Sequence, residues 1–97
     1  MNTISAQELK SWIESGKDFQ LIDCREPHEF EESNINGELI PMNTIPENVD
    51  KIRKDVDVVI HCRSGARSGN VIQWLNQNEG FTNLLNLEGG ILAYNQL

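Results

Sequence analysis

The chain has 97 residues, a formal net charge of −7 and a hydrophobic fraction of 38%. This length predicts a single domain, residues 1–97, with a modest core. The acidic excess argues against a nucleic-acid partner, because such proteins need a basic patch. No run of about 18 apolar residues is present, so we expect no membrane partner. The polar N-terminus lacks a secretion signal, which favours the cytoplasm.

Short helices and buried strands are predicted to alternate along the chain. Ser5 and Glu8 form a capping-box pattern before a first helix that ends at Gly16. Strands are predicted at 19–23, 56–61 and 83–87, and further helices at 27–32, after Pro46, at 68–77 and at 91–97. This alternation predicts an α/β fold, with a parallel sheet and helices on both faces. Ligands bind such sheets beyond the carboxyl ends of the strands.

The loop after His61, read as HCRSGARS, places a cysteine among small and positively charged residues. Cys62 is the candidate nucleophile, because three features favour its thiolate: the amides that open the next helix, the helix dipole and the charges of Arg63 and Arg67. Gly65 allows a positive φ, and the small side chains are expected to keep the bowl open. The candidate substrate-binding residues are Arg63, Ser64, Gly65, Ala66, Arg67 and Ser68.

Metal and disulfide chemistry are not predicted. Cys24 and Cys62 lack the spacing of a metal site, and His28 and His61 do not complete one. A disulfide is not expected in a reducing cytoplasm. We therefore expect no metal and no cofactor.

Four motifs stand in the order found in the rhodanese (sulfurtransferase) family, which the chain resembles over nearly its whole length. They are LIDCREPHEF at 21–30, INGELIP at 35–41, HCRSGARS at 61–68 and LEGGILAYNQL at 87–97. The resemblance implies a five-stranded parallel sheet flanked by helices on both faces. It also implies that Cys62 carries sulfur and that Asp23 and Arg25 brace the loop without taking part in the chemistry.

The implied activity is that of a thiosulfate sulfurtransferase. Cys62 would take a sulfane sulfur from an anionic donor such as thiosulfate, hold it as a persulfide, and pass it to cyanide or a thiol. Glu29 is acidic where some two-domain members carry a basic residue, which weakens thiosulfate capture. Cys24 stands where an aliphatic residue is usual. It is either a small buried hydrophobe or a second thiol that resolves the persulfide into a disulfide.

Two other functions remain open. A domain of this kind can relay sulfur to a protein acceptor, with thiosulfate turnover as an incidental activity. A thiol-based phosphatase or arsenate reductase uses the same chemistry, but its loop has five residues between cysteine and arginine. Here four residues separate Cys62 from Arg67, and a shorter ring surrounds one sulfur more readily than a phosphoryl group. A monomer is the simplest expectation for the oligomeric state.

Two further side chains near the loop carry expectations. His61 should point away from Cys62, because side chains alternate along a strand. Glu88 is a candidate partner for one of the two loop arginines.

Overall fold

Five parallel strands form one sheet in the computed structural model, which describes residues 1–97. The strands are β1 (Thr3–Ile4), β2 (Gln20–Asp23), β3 (Glu38–Leu39), β4 (Val58–His61) and β5 (Leu84–Leu87), in the spatial order β1-β5-β4-β2-β3. The helices are α1 (Ala6–Ser15), α2 (Pro27–Glu32), α3 (Ala66–Glu79) and α4 (Gly90–Tyr94). No helix is long and apolar enough to cross a membrane.

The structure confirms the three strands and four of the five helices that the pattern predicted. The remaining predicted helix, after Pro46, consists of two short 3₁₀ segments at Met42–Glu47 and Val49–Lys51. Helix α1 begins as expected, since the amide of Glu8 donates to the Ser5 hydroxyl at 3.1 Å. It ends at Gly16, whose φ of 72° suits a glycine.

The core lies on both faces of the sheet, as expected for parallel strands covered by helices. Along β4, Val58 and Ile60 belong to the larger apolar cluster, which includes residues of α3, whereas Val59 belongs to the cluster that includes Leu9 of α1. All four β4 residues are buried. The central strand is therefore a rigid support for the residue that follows it, Cys62.

Candidate active site

Two amides of the loop between β4 and α3 point at the sulfur of Cys62. The Gly65 amide donates to Cys62 Sγ at 3.1 Å, and the Ser68 amide approaches it at 3.4 Å. The Ser68 hydroxyl lies 3.3 Å from the same sulfur. Gly65 has a backbone φ of 112°, a value that residues with a Cβ rarely adopt. We call these two amides and the hydroxyl, contributed by Gly65 and Ser68, the sulfur collar.

Helix α4 holds the outer side of the same loop. The carbonyl oxygens of Cys62 and Arg63 accept hydrogen bonds from the amides of Ile91 and Leu92, at 2.9 and 3.2 Å. Gly90 lies so close to this backbone that a Cβ there would collide with the Arg63 carbonyl. Because these two carbonyls point at α4, the amides of the loop are free to point at the sulfur of Cys62.

Asn86, on β5, is a residue of the site that the sequence analysis missed. Its amide nitrogen donates to the Gly65 carbonyl at 3.1 Å, and its Oδ1 accepts from the Ser68 hydroxyl at 2.6 Å. Both residues of the sulfur collar are thereby tied to the neighbouring strand. In the sequence, Asn86 was a polar residue beside leucines in a predicted strand, and that position gave no sign of its role. The structure pairs it with Ile60 of β4.

The two loop arginines have different surroundings. Arg67 forms a two-pronged ion pair with Glu29 of α2, at 2.7 and 2.9 Å. Arg63 is exposed and faces a polar cavity of about 180 Å³ that Glu29 also lines. The expected partner, Glu88, instead accepts a hydrogen bond from Thr3 at 2.7 Å. That expectation was wrong, because it was based only on the position of Glu88 next to Gly89 and Gly90.

The ion pair between Arg67 and Glu29 persists through neutral pH. The Arg67 guanidinium lowers the pKa of Glu29 to about 2, below the ordinary carboxyl value of about 4.3. Because the folded pKa is the lower one, the pair stabilises the fold above the ordinary value. That contribution is lost as the pH falls toward 2. The pair is thus a constant feature of the site near neutrality.

Asp23 and Arg25 form a buried ion pair on the opposite face of the sheet from Cys62. Arg25 Nη2 lies 2.8 Å from Asp23 Oδ2, and the same nitrogen donates to the Ser33 carbonyl at 2.8 Å. Arg25 also approaches the Glu29 carbonyl, at 3.4 Å. The pair therefore holds α2 at Glu29 and at its C-cap Ser33, and it has no direct contact with the sulfur.

His61 also points away from Cys62, as strand alternation predicts. Its Nε2 lies 3.6 Å from Asp23 Oδ2 and makes no hydrogen bond, and Nδ1 lies 3.5 Å from the Cys62 carbonyl. Burial lowers the pKa of His61, so its ring is neutral near pH 7. No group of three histidine, cysteine or carboxylate side chains is arranged to hold a metal ion.

Cys62 has a depressed pKa. The main cause is the neighbouring thiol of Cys24, followed by the groups of Ser68 and Gly65 that face the sulfur, and burial opposes the shift. Cys62 in turn raises the pKa of Cys24, so Cys62 is the thiol of the pair that ionises. The expected open bowl is not observed, since Cys62 is only 1% exposed. The sulfur collar closes on the sulfur.

Comparison with known proteins assigns this arrangement to a family. Residues 5–97 match the family model described as a rhodanese-like domain. The chain belongs to the rhodanese family. This rhodanese is 41% identical over 95 residues to a sulfurtransferase of Allochromatium vinosum, covering 97% of the chain and 88% of that protein.

Two further relatives place this rhodanese domain in context. It is 35% identical to the probable adenylyltransferase/sulfurtransferase MoeZ of Mycobacterium tuberculosis, covering 96% of the chain but only 24% of MoeZ. The crystal structure of a rhodanese-like domain protein from Staphylococcus aureus superposes with a TM-score of 0.87 at 35% identity. That match covers 97% of the chain and 91% of the other chain. The five-stranded rhodanese fold and a place among sulfurtransferases are thus established.

Proposed function

We propose that this rhodanese moves a sulfane sulfur from an anionic donor such as thiosulfate to a thiophilic acceptor, through a persulfide on Cys62. The observation that carries the proposal is the sulfur collar. Its amide donors, that of Gly65 at 3.1 Å and that of Ser68 at 3.4 Å, favour a negatively charged sulfur over a neutral thiol. A thiolate is the form of cysteine that acts as a nucleophile.

The proposed reaction has two displacement steps. Cys62 Sγ attacks the outer sulfur of thiosulfate, the bond between the two thiosulfate sulfurs breaks, and sulfite leaves with the bonding electron pair. The acceptor, cyanide or a thiol, then attacks the outer sulfur of the persulfide, and the electron pair returns to Cys62 Sγ. Because thiolate and persulfide are both anions, the same donor groups stabilise the enzyme before and after loading.

Two features of the closed loop bear on how the donor enters. Cys62 is 1% exposed, so the donor reaches Sγ only when the loop or the side chains above it move. Arg67 is held by Glu29, whereas Arg63 is exposed. We propose that Arg63 meets the sulfonate oxygens first and that Arg67 joins it by exchanging the Glu29 carboxylate for the donor.

A sulfur relay to a protein acceptor is the second candidate. The likeness to MoeZ favours it, because that protein carries a similar segment as about a quarter of its length and is named an adenylyltransferase/sulfurtransferase. The phosphatase alternative fits less well, since the collar closes around one sulfur with four residues between Cys62 and Arg67. All collar atoms come from one chain, so we propose that a monomer suffices. A cytoplasmic location stays a prediction.

Intact mass spectrometry after brief thiosulfate treatment tests the proposal. We expect the wild-type protein to gain one sulfur atom on Cys62, even if only transiently, and to lose it to cyanide. Cys62→Ser should gain none and keep its fold by circular dichroism. Sulfur loading of Cys62→Ser equal to that of wild type would refute the assignment of Cys62. Faster transfer to a protein thiol than to cyanide would favour the relay.

A further inference from the structure

Cys24 lies directly beside Cys62, where the neighbouring strands β2 and β4 end. The Cys24 amide donates to the His61 carbonyl at 3.0 Å, and Asp23 is paired with His61 in the register of β2 and β4. Cys24 and Cys62 are the residues that follow directly after these two strands. Neighbouring strands lie about 4.8 Å apart, and a disulfide spans Cα atoms separated by about 4.4–6.8 Å. The backbone spacing therefore suits a disulfide without rearrangement of the sheet.

The two side chains also share one face of the sheet. Cys24 and Cys62 belong to the same buried cluster and are each 1% exposed, whereas Asp23 and His61 lie on the opposite face. The two thiols shift each other's pKa in opposite directions, upward for Cys24 and downward for Cys62. Both cysteines are in the free thiol form, and the chain contains no others. A buried thiol in this position has Cys62 as its one available reaction partner.

We propose that Cys24 is a resolving thiol, which displaces the sulfur carried by Cys62 as hydrosulfide and leaves a Cys24–Cys62 disulfide. This inference rests on the persulfide of the proposed function. In the step, Cys24 Sγ attacks Cys62 Sγ, and a bond forms between the two. The bond from Cys62 Sγ to the outer sulfur breaks, and the outer sulfur leaves with the electron pair and the Cys24 proton.

The electron balance of this step needs no external oxidant. The carried sulfur is the oxidant, since it is reduced to hydrosulfide while the two cysteines are oxidised to the disulfide. Two thiols of a cellular or added reductant return the pair to the reduced state by exchange. A loaded domain that meets no acceptor thus discharges as hydrosulfide and stays inactive, because Cys62 is blocked, until a thiol reactivates it.

The test follows the fate of one sulfur atom in reductant-free buffer. Wild type, Cys24→Val and Cys24→Ser are treated with thiosulfate or with inorganic polysulfide, freed of excess donor, and followed by non-reducing intact mass and by trapping of hydrosulfide. We expect wild type to lose two hydrogen atoms and release one equivalent of hydrosulfide. In the two variants the added sulfur should persist at least about ten times longer, because no thiol is in reach of Cys62.

The wild-type arm decides the inference even where a variant folds poorly. Peptide mapping that joins Cys24 to Cys62 after loading supports it. A persulfide on wild type with the same lifetime as in the variants overturns the inference and leaves the proposed function standing. If neither donor adds sulfur to any of the three proteins and wild type forms no disulfide, the proposed function fails and this inference fails with it.

Discussion

At the residue scale, Arg67 has two anions to choose between, Glu29 and an incoming donor. Glu29 is well placed to compete, because one of its oxygens also accepts the Glu26 amide at 3.0 Å, which fixes the carboxylate at the first turn of α2. The ion pair is only partly exposed, with side-chain exposures of 30% for Arg67 and 19% for Glu29. An anionic donor therefore has to displace a preorganised internal ligand.

Replacement of Glu29 should improve capture of anionic donors. In Glu29→Gln the amide oxygen still accepts from Glu26, but the carboxylate charge that holds Arg67 is removed. We expect KM for thiosulfate to fall by about two- to tenfold in steady-state assays with cyanide. Arg67→Ala should raise it. Glu31→Gln is the matched control, since Glu31 carries the same charge on the exposed side of α2. An equal effect of both glutamine variants would point to net charge alone.

The sequence predicted which loop residues surround the sulfur, but it did not predict which distant residues contact the loop. Cys62, Gly65 and Ser68 stand within seven consecutive residues, so local spacing was enough to bring them together. The contacts that tune them are distant in sequence: Glu29 lies 38 residues from Arg67, and Asn86 lies 18 residues from Ser68. Such pairings depend on strand order and register, which a single sequence does not state.

At the element scale, the N-terminus of α4 fixes the direction of the loop peptides. It does so through the amides of Ile91 and Leu92 and through the close approach of Gly90. The Gly-Gly pair at the start of this helix was evident in the sequence as part of the motif LEGGILAYNQL. The contact of Gly90 with the loop was not evident, because the neighbouring sequence does not indicate which backbone a glycine packs against.

A methyl group at Gly90 should push the loop out of place. Gly90→Ala should lower the free energy of unfolding by about 2 kcal/mol or more and reduce kcat/KM for sulfur transfer at least about tenfold. Gly16→Ala is the matched control: Gly16 also has a positive φ of 72° but has open space around it. It should cost about 1 kcal/mol and leave transfer unchanged. If Gly90→Ala and Gly16→Ala lost equal stability in urea titrations and equal kcat/KM, the proposed role of Gly90 in positioning the loop would be wrong.

The short edge strands show the limit of pattern reading at this scale. β1 and β3 have two residues each, too few to show any alternation, and the pattern alone therefore predicted three strands. The resemblance of the motifs supplied the count of five. The 3₁₀ segments at Met42–Glu47 and Val49–Lys51 were read as one helix, because Pro46 and charged residues also suit an α-helical start.

At the scale of the whole molecule, the buried ion pair and the candidate nucleophile lie on opposite faces of the sheet. The buried pair of Asp23 and Arg25 joins β2 to α2 at Glu29 and at the C-cap residue Ser33. Asp23→Asn leaves Arg25, only 4% exposed, without its counter-charge. We expect the free energy of unfolding to fall by about 3 kcal/mol, while the folded fraction still acquires sulfur on Cys62.

The matched control for this change is Asp55→Asn, which removes a carboxylate from an exposed arginine pair with Arg53. It should leave urea unfolding almost unchanged, since the arginine stays in water. If Asp23→Asn abolished persulfide formation in fully folded protein, the separation of the two faces would be wrong.

The central claim is that the collar and Cys24 keep Cys62 negatively charged at neutral pH. The most direct measurement is a pH titration of thiolate ultraviolet absorbance, recorded as the difference between wild type and Cys62→Ser. Because the folded pKa of Cys62 is depressed, we predict a full thiolate signal at pH 7 that is lost only as the pH falls into the acid range. A signal absent at pH 7 and rising only near the ordinary thiol value of about 8.5 would contradict the account.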